Sequence, residues 1–339
     1  MSRYILRRVL FAIPTLIAIS MIIFLILDLA PGDPTSNLPL TVPAEIREQI
    51  RENLGLDEPV PQKWWAWNKL MMVNETLELA SDVTGTCIGD CENRARIVSW
   101  SSRSPAMDII WQRLPQTLWV MGVAFFMGTL LAIPIGIYSA YRQYSWFDNL
   151  GTLVTMIGFS VPTFFTGLLA IVVFSVKLNW FPSFYDSTHD VSLTSWTSIW
   201  IQIKQLFMPV LVLTLFNTAA LSRYTRAAVL DNLQADFVRT ARAKGVGERS
   251  VVLTHVMRNS LIPVVTLITL SIPGIFSGAI ITEQIFRING LGALLITSIG
   301  QNDVPMVQTL TFMFAVLIVV FNIINDVLIG FLDPRIRYD

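Results

Sequence analysis

The chain has 339 residues, of which 53% are hydrophobic and only 14% charged, with a formal net charge of zero and a mean hydropathy of +0.58. Soluble domains carry about one quarter charged residues, so this composition excludes an ordinary water-soluble protein and places the chain in a lipid bilayer. Zero net charge also argues against nucleic acid as a partner.

Uncharged stretches run from Val9 to Leu27, Leu114 to Tyr141, Asn149 to Val176, Gln205 to Ser222, Asn259 to Thr282 and Val304 to Asn325. A helix of roughly 20 apolar residues crosses about 30 Å of hydrocarbon, so each stretch is a predicted span, and the fold class is all-α and polytopic. The first follows Arg3, Arg7 and Arg8. Its core is longer than a secretory signal's, and Asp28-Leu29-Ala30 offers no small-x-small cleavage site, which reads as an uncleaved anchor.

In the segment from Asp28 to Arg113, Thr41, Pro43 and Glu45 form a helix start, Ile46, Ile50 and Leu54 recur every fourth residue, and Gly55 is a stop. Trp64, Trp65 and Trp67, with Lys63 and Lys69, suit a headgroup-level ledge and equally the core of a small subdomain. Cys87 and Cys91 are the only cysteines, and Gly85 and Gly89 permit a tight turn there. A small-loop disulfide in an oxidising compartment is the expectation, since C-x-x-x-C with neither a third Cys nor a nearby His cannot build a structural zinc site.

Pro162 should kink the third span. The fourth, beginning near Pro209, is the shortest. Arginines before the first span, after the fourth and, as Arg335 and Arg337, after the sixth put both termini in the cytoplasm by the positive-inside rule. The chain then divides into residues 1–30 (N-terminus and first span), an extracytoplasmic segment 31–113, a five-helix core 114–332 containing a cytoplasmic loop 223–258, and a tail 333–339.

That loop is where the sequence turns polar and basic, with Arg223, Arg226, Arg239, Arg242, Lys244, Arg249 and Arg258 against Asp231, Asp236 and Glu248. Leu230, Leu233, Phe237 and Ala241 recur at three- and four-residue steps, predicting one amphipathic helix. Gly245 and Gly247 interrupt it, and a helical pattern resumes with Val251, Val252, Val256 and Ser260. Two roles fit such an element: a basic helix lying on anionic lipid or a knob seated in a partner's groove.

Chemistry-bearing motifs are missing. The sequence has no G-x-x-x-x-G-K-[ST] and no H-E-x-x-H, and His189 and His255 are predicted on opposite membrane sides, so neither nucleotide phosphates nor a hydrolytic metal are expected on this chain. Ser and Thr within the spans read as helix-to-helix hydrogen bonding. Asp326, near Asn322 and Asn325, reads as an interfacial ion pair with Arg223 or Arg226 rather than a proton or solute site. Glu283 and Arg287, beside Gly290-Leu-Gly292, either order an outer loop or are solvated.

The segment Asp236-Phe-Val-Arg-Thr-Ala-Arg-Ala-Lys-Gly245 resembles the EAA loop of ABC-importer permeases, most closely the B-type permease of dipeptide and oligopeptide importers. Tyr4-Ile-Leu-Arg-Arg-Val, Ala30-Pro-Gly-Asp-Pro34, Leu54-Gly-Leu-Asp, Arg113-Leu-Pro-Gln-Thr-Leu118, Gly158-Phe-Ser-Val-Pro-Thr-Phe164, His255-Val-Met-Arg-Asn-Ser-Leu-Ile-Pro263, Gly290-Leu-Gly292 and Leu332-Asp-Pro-Arg-Ile-Arg337 are similar to the family pattern and stand in its order. The resemblance implies that Ala241 and Gly245 hold the second Ala and the Gly of the motif, while Arg239 and Thr240 replace its Glu and first Ala. The closing Leu-Pro comes late, at Ile262-Pro263.

By that resemblance the chain has the type I ABC-importer permease fold and sits in a bacterial inner membrane. The implied partners are a second homologous permease, two cytoplasmic ATPase subunits carrying ATP and magnesium, and an external solute-binding protein; the chain itself binds no cofactor. Leu233, Phe237, Arg239, Ala241, Arg242 and Gly245 are the expected coupling residues, with Leu233, Phe237 and Ala241 forming an apolar stripe buried in a partner groove. The solute is a short peptide, with an oligosaccharide, opine, glutathione or nickel complex as the alternatives. An ion-coupled secondary transporter would instead show an inverted repeat with charged or broken-helix sites at the midplane, and an intramembrane enzyme would need a catalytic constellation.

Overall fold

The computed structural model describes residues 2–29, 43–53, 57–91, 93–186 and 194–332. Their helices are α1 (Ser2–Asp28), α2 (Ala44–Asn53), α3 (Val60–Lys69), α4 (Glu75–Thr84), α5 (Ala106–Thr117), α6 (Val123–Tyr141), α7 (Trp146–Ser160), α8 (Thr163–Ala170), α9 (Trp196–Leu233), α10 (Asp236–Ala243), α11 (Glu248–Ser250), α12 (Met257–Ser277), α13 (Ile280–Phe286), α14 (Leu291–Gly300) and α15 (Val304–Leu332). Stretches of π-helix at Leu70–Asn74, Leu118–Gly122 and Val251–Val256 join α3 to α4, α5 to α6 and α11 to α12, and Ile171–Lys177 extends α8.

Among the described residues, five helical runs are long and apolar enough to cross a membrane: Ile5–Asp28, Ala106–Tyr141, Trp196–Leu233, Glu248–Ser277 and Val304–Phe331. The pair formed by α7 and α8 makes a sixth if it is taken as one span bent by 98°. The expected kink at Pro162 is thus a full break. Proline disfavours the helical conformation in the residue before it, and Val161 is extended at φ −88° and ψ 123°, so α7 stops and α8 restarts with Pro162 at its cap.

The fourth span needs the opposite correction. It is the longest helix, 38 residues from Trp196 to Leu233, and contains Pro209 instead of beginning there. At 1.5 Å per residue it runs for about 57 Å, well beyond about 30 Å of hydrocarbon, which accommodates Lys204 towards one end and Arg223 and Arg226 towards the other.

One compact unit comprises Ser2–Leu114 and Leu294–Val319. The clustered tryptophans Trp64, Trp65 and Trp67 differ in their surroundings. Trp67 is buried and meets Phe312 edge-on, with ring centroids 5.4 Å apart; Trp64 donates Nε1–H to Ser20 Oγ at 3.3 Å; Trp65 is exposed. Glu75 is buried, accepting from the Ile97 N–H at 3.0 Å and from Arg96 at 2.9 Å. Asp303 accepts from the N–H groups of Trp100 (3.0 Å) and Ser101 (3.2 Å) and from the Ser99 hydroxyl, while also receiving the Met306 N–H that opens α15. Cys87 and Cys91 form the expected disulfide. The helix expected after Pro43 is α2; Thr41, Leu54 and Gly55 lie outside the described residues.

The second unit comprises Pro115–Ala293 and the residues from Val320 onward. Its spine is α6 against α9. Ala124, Gly128, Ala132, Gly136 and Ala140 recur every four residues on α6, and all are buried. A Cβ on Gly128 would lie 2.8 Å from the Asn217 Cβ, and one on Gly136 would lie 2.6 Å from the Ser222 carbonyl oxygen. Where lipid removes the hydrophobic drive for association, such small residues let backbones touch and gain dispersion energy. Thr214 and Thr218 cross the seam, donating their hydroxyls to the carbonyls of Ala124 and Gly128 at 3.4 Å. Elsewhere the span hydroxyls mostly bond back within their own helix, as Thr266 does to Ile262 and Thr269 to Val265.

Glu283 settles one open reading: it is fully buried and orders its loop. Its carboxylate accepts the Ala293 N–H at 2.8 Å and the Thr117 hydroxyl at 3.3 Å, while Thr117 Oγ1 accepts the Leu291 N–H at 2.7 Å. Side chains at Gly278, Gly290 or Gly292 would collide with that carboxylate. Burial raises the Glu283 carboxyl above its ordinary pKa. Arg287 instead lies over the Phe184 ring, 4.5 Å from its centroid.

Candidate functional site: the elbow between α9 and α12

The basic segment does not form the single amphipathic helix that its periodicity predicts. α9 closes at Leu233, Ala235 is extended at φ −70° and ψ 150°, and α10 starts afresh at Asp236. Leu230 and Leu233 therefore belong to one helix and Phe237 and Ala241 to another. The correction extends to the stripe: Ala241 is buried within the chain, beside Val238, Val229, Ala140, Val251 and Val256, with Leu230, Leu233 and Val246 packed around them. Leu233 and Ala241 thus have a partner already, whereas Phe237 is 39% exposed.

α10 is consequently two-sided. Val238 and Ala241, three residues apart, fasten one side to the ends of α6 and α9 and to Val251–Val256. The other side presents Phe237, Arg239, Thr240 and Arg242, all exposed. The Arg239–Asp236 pair at 3.4 Å is exposed at both ends and contributes little.

The turn after α10 is set by Gly245, at φ +78°. Its N–H bonds to the Arg242 carbonyl at 3.0 Å, and the Val246 N–H bonds to the Ala241 carbonyl at 3.2 Å, closing the helix end. A Cβ on Gly245 would meet nothing within 4 Å, so left-handed backbone, not crowding, demands glycine here. Across the turn Arg242 donates Nε and Nη2 to the Glu248 carboxylate at 3.1 and 2.6 Å, clamping α10 to α11.

A second fastening escaped the sequence reading. Arg226, on α9, donates Nε and Nη2 to Asp148 at 2.7 and 2.9 Å. Asp148 is 2% exposed and also accepts the Tyr144 N–H at 3.0 Å, while its own N–H bonds to Ser145 Oγ at 3.2 Å. Arg226 is therefore committed to Asp148, which, of the two partners expected for Asp326, leaves Arg223. The available signal was Ser145-x-x-Asp148, a helix-start pattern, although its distant arginine could not be read from spacing. Among the described residues no cluster of His, Cys, Asp and Glu could hold a metal ion.

The whole chain matches known proteins. Residues 132–338 match the model of the "Binding-protein-dependent transport system inner membrane component" family, and residues 1–121 match the N-terminal membrane component of the same systems. The oligopeptide transport system permease protein AppB of Bacillus subtilis (strain 168) is 38% identical over 339 residues, all of both chains. The glutathione transport system permease protein GsiC of Escherichia coli (strain K12) is 33% identical, again over all of both chains. An apolar bundle with a two-sided elbow, matched end to end by these permeases, belongs to the family of binding-protein-dependent transport system inner membrane components, as an ABC-importer permease of the peptide type.

Proposed function

We propose that this chain forms half of the pathway of an ATP-driven importer of short peptides, with a second permease supplying the other half. Both termini and the α9–α12 elbow face the cytoplasm, and the segment 31–113 lies outside, where a solute-binding protein delivers its cargo. Two ATPase subunits carry ATP and magnesium. The relatives named for oligopeptides and for glutathione, itself a small peptide, support that solute class over an oligosaccharide, opine or nickel complex.

The carrying observation is the two-sidedness of α10. Val238 and Ala241 fix it to three other elements, so a displacement of α10 is passed to α6 and α9 and not absorbed by a loose loop. Phe237 offers the exposed aromatic that a groove on an ATPase would take, and Arg239 and Arg242 set its register. A buried interfacial aromatic contributes about 2 kcal/mol or more, so Phe237→Ala should weaken ATPase association roughly 30-fold. Pull-down of the ATPase subunits with detergent-solubilised permease pair measures this; wild-type retention in the variant removes Phe237 from the docking surface.

A further inference from the structure

The face shared by α6, α9 and α12 encloses a concavity of about 350 Å³. Thr129, Asn217, Tyr224 and Ser271 line it among apolar neighbours such as Phe125 and Leu221, and the lining contains no Asp, Glu, Lys or Arg. Among the described residues, the side chains of Thr129, Asn217 and Tyr224 make no hydrogen bond. Ser271 donates to the Leu267 carbonyl at 2.7 Å, which leaves its lone pairs free. Tyr224 is 57% exposed, and Asn217 lies 21 residues into the 38-residue α9.

An Asn carboxamide has two donors and two acceptor lone pairs, more than its own helix can satisfy. In hydrocarbon, leaving them unmet costs several kcal/mol. The contrast with position 218 is informative, because Thr218 bonds across the α6–α9 seam to Gly128 while Asn217, one residue away, has no such partner. Another concavity, between α7, α8 and α9, is lined mainly by apolar residues such as Phe147, Leu150, Val154, Leu169 and Leu215; of its hydroxyls, those of Thr155, Thr166, Thr218 and Ser222 bond to backbone carbonyls, and among the described residues Thr163 makes no hydrogen bond. Unpaired polar side chains are thus more numerous on the α6–α9–α12 face, where they include a carboxamide and a phenol, than on the other.

We infer that the face bearing Thr129, Asn217, Tyr224 and Ser271 is this chain's wall of a water-filled solute pathway. The inference rests on the importer reading above and adds to it the residues and their chemistry. Neutral hydroxyl and carboxamide groups exchange hydrogen bonds with water and with the amides of a passing peptide, whereas a wall without fixed charge does not sort solutes by net charge. Selection by charge is thereby left to the binding protein.

Because Cys87 and Cys91 are joined to each other, one introduced cysteine is this chain's sole free thiol. Asn217→Cys and, nearly isosteric, Ser271→Cys are made separately in the assembled complex, with cysteine-free partners, in proteoliposomes. Leu131→Cys is the dry reference: it is 43% exposed and about 200° round α6 from Thr129 at 3.6 residues per turn. A charged methanethiosulfonate, present on both sides, reacts only where water supports a thiolate. At both pathway positions the reaction should run at least roughly tenfold faster than at Leu131→Cys and should block ATP-driven uptake. Labelling at the reference rate in complexes that still import solute would overturn the assignment, showing that lipid or a partner helix covers this face. Loss of ATP-driven uptake in the unsubstituted complex, by contrast, strikes the importer reading itself.

Discussion

Gly245 is the residue at which backbone conformation bears most directly on the proposed coupling role of α10. Its φ of +78° costs an L-residue about 1–2 kcal/mol, and open space around it means a substitution acts through the turn and not through a clash. Gly245→Val should rotate α10 relative to α11 and strain the Arg242–Glu248 clamp. The expected outcome is ATP hydrolysis that continues while peptide uptake falls roughly tenfold, the equivalent of that strain. The ratio of solute imported to phosphate released measures it, and a wild-type ratio would show that the turn transmits no motion. Gly245 was legible in the sequence because two glycines in three residues mark a turn. Asp148 was not, since its partner Arg226 is 78 residues away and local spacing is silent about such pairs.

At the scale of elements, the spans were readable from hydropathy but their ends were not. The fourth stretch looked short because Arg223 and Arg226 closed the uncharged run, yet α9 continues through both, with Arg226 neutralised by Asp148. The break between α9 and α10 was hidden for a different reason. Leu230, Leu233, Phe237 and Ala241 keep helical spacing across it, with neither Gly nor Pro at Gln234 or Ala235. The alanine–glycine stripe on α6 was likewise visible but carried no partner until α9 was placed against it. Gly136→Val forces a side chain into the Ser222 carbonyl and the Thr225 side chain, and overpacking of this kind costs roughly 1–3 kcal/mol. The thermal midpoint of the purified complex should drop by several degrees. Gly122→Ala, where a Cβ meets nothing within 4 Å, should leave it unchanged; equal effects would mean the seam is not tightly packed.

For the whole molecule, composition alone fixed the class and the family pattern fixed the architecture, because hydrophobic length and backbone-demanding glycines leave direct traces in sequence. Contacts between distant helices leave fainter ones. The proposed pathway wall is the clearest example: Thr129, Asn217 and Ser271 are unremarkable among many span hydroxyls and amides, and only their shared lining of one concavity distinguishes them. The energy source remains the account's central claim. Proteoliposomes containing both permeases and both ATPase subunits, supplied with peptide-loaded binding protein, should import peptide only when ATP and magnesium reach the ATPases, with an imposed proton or sodium gradient making no difference. Import sustained by an ion gradient in the absence of ATP would contradict it.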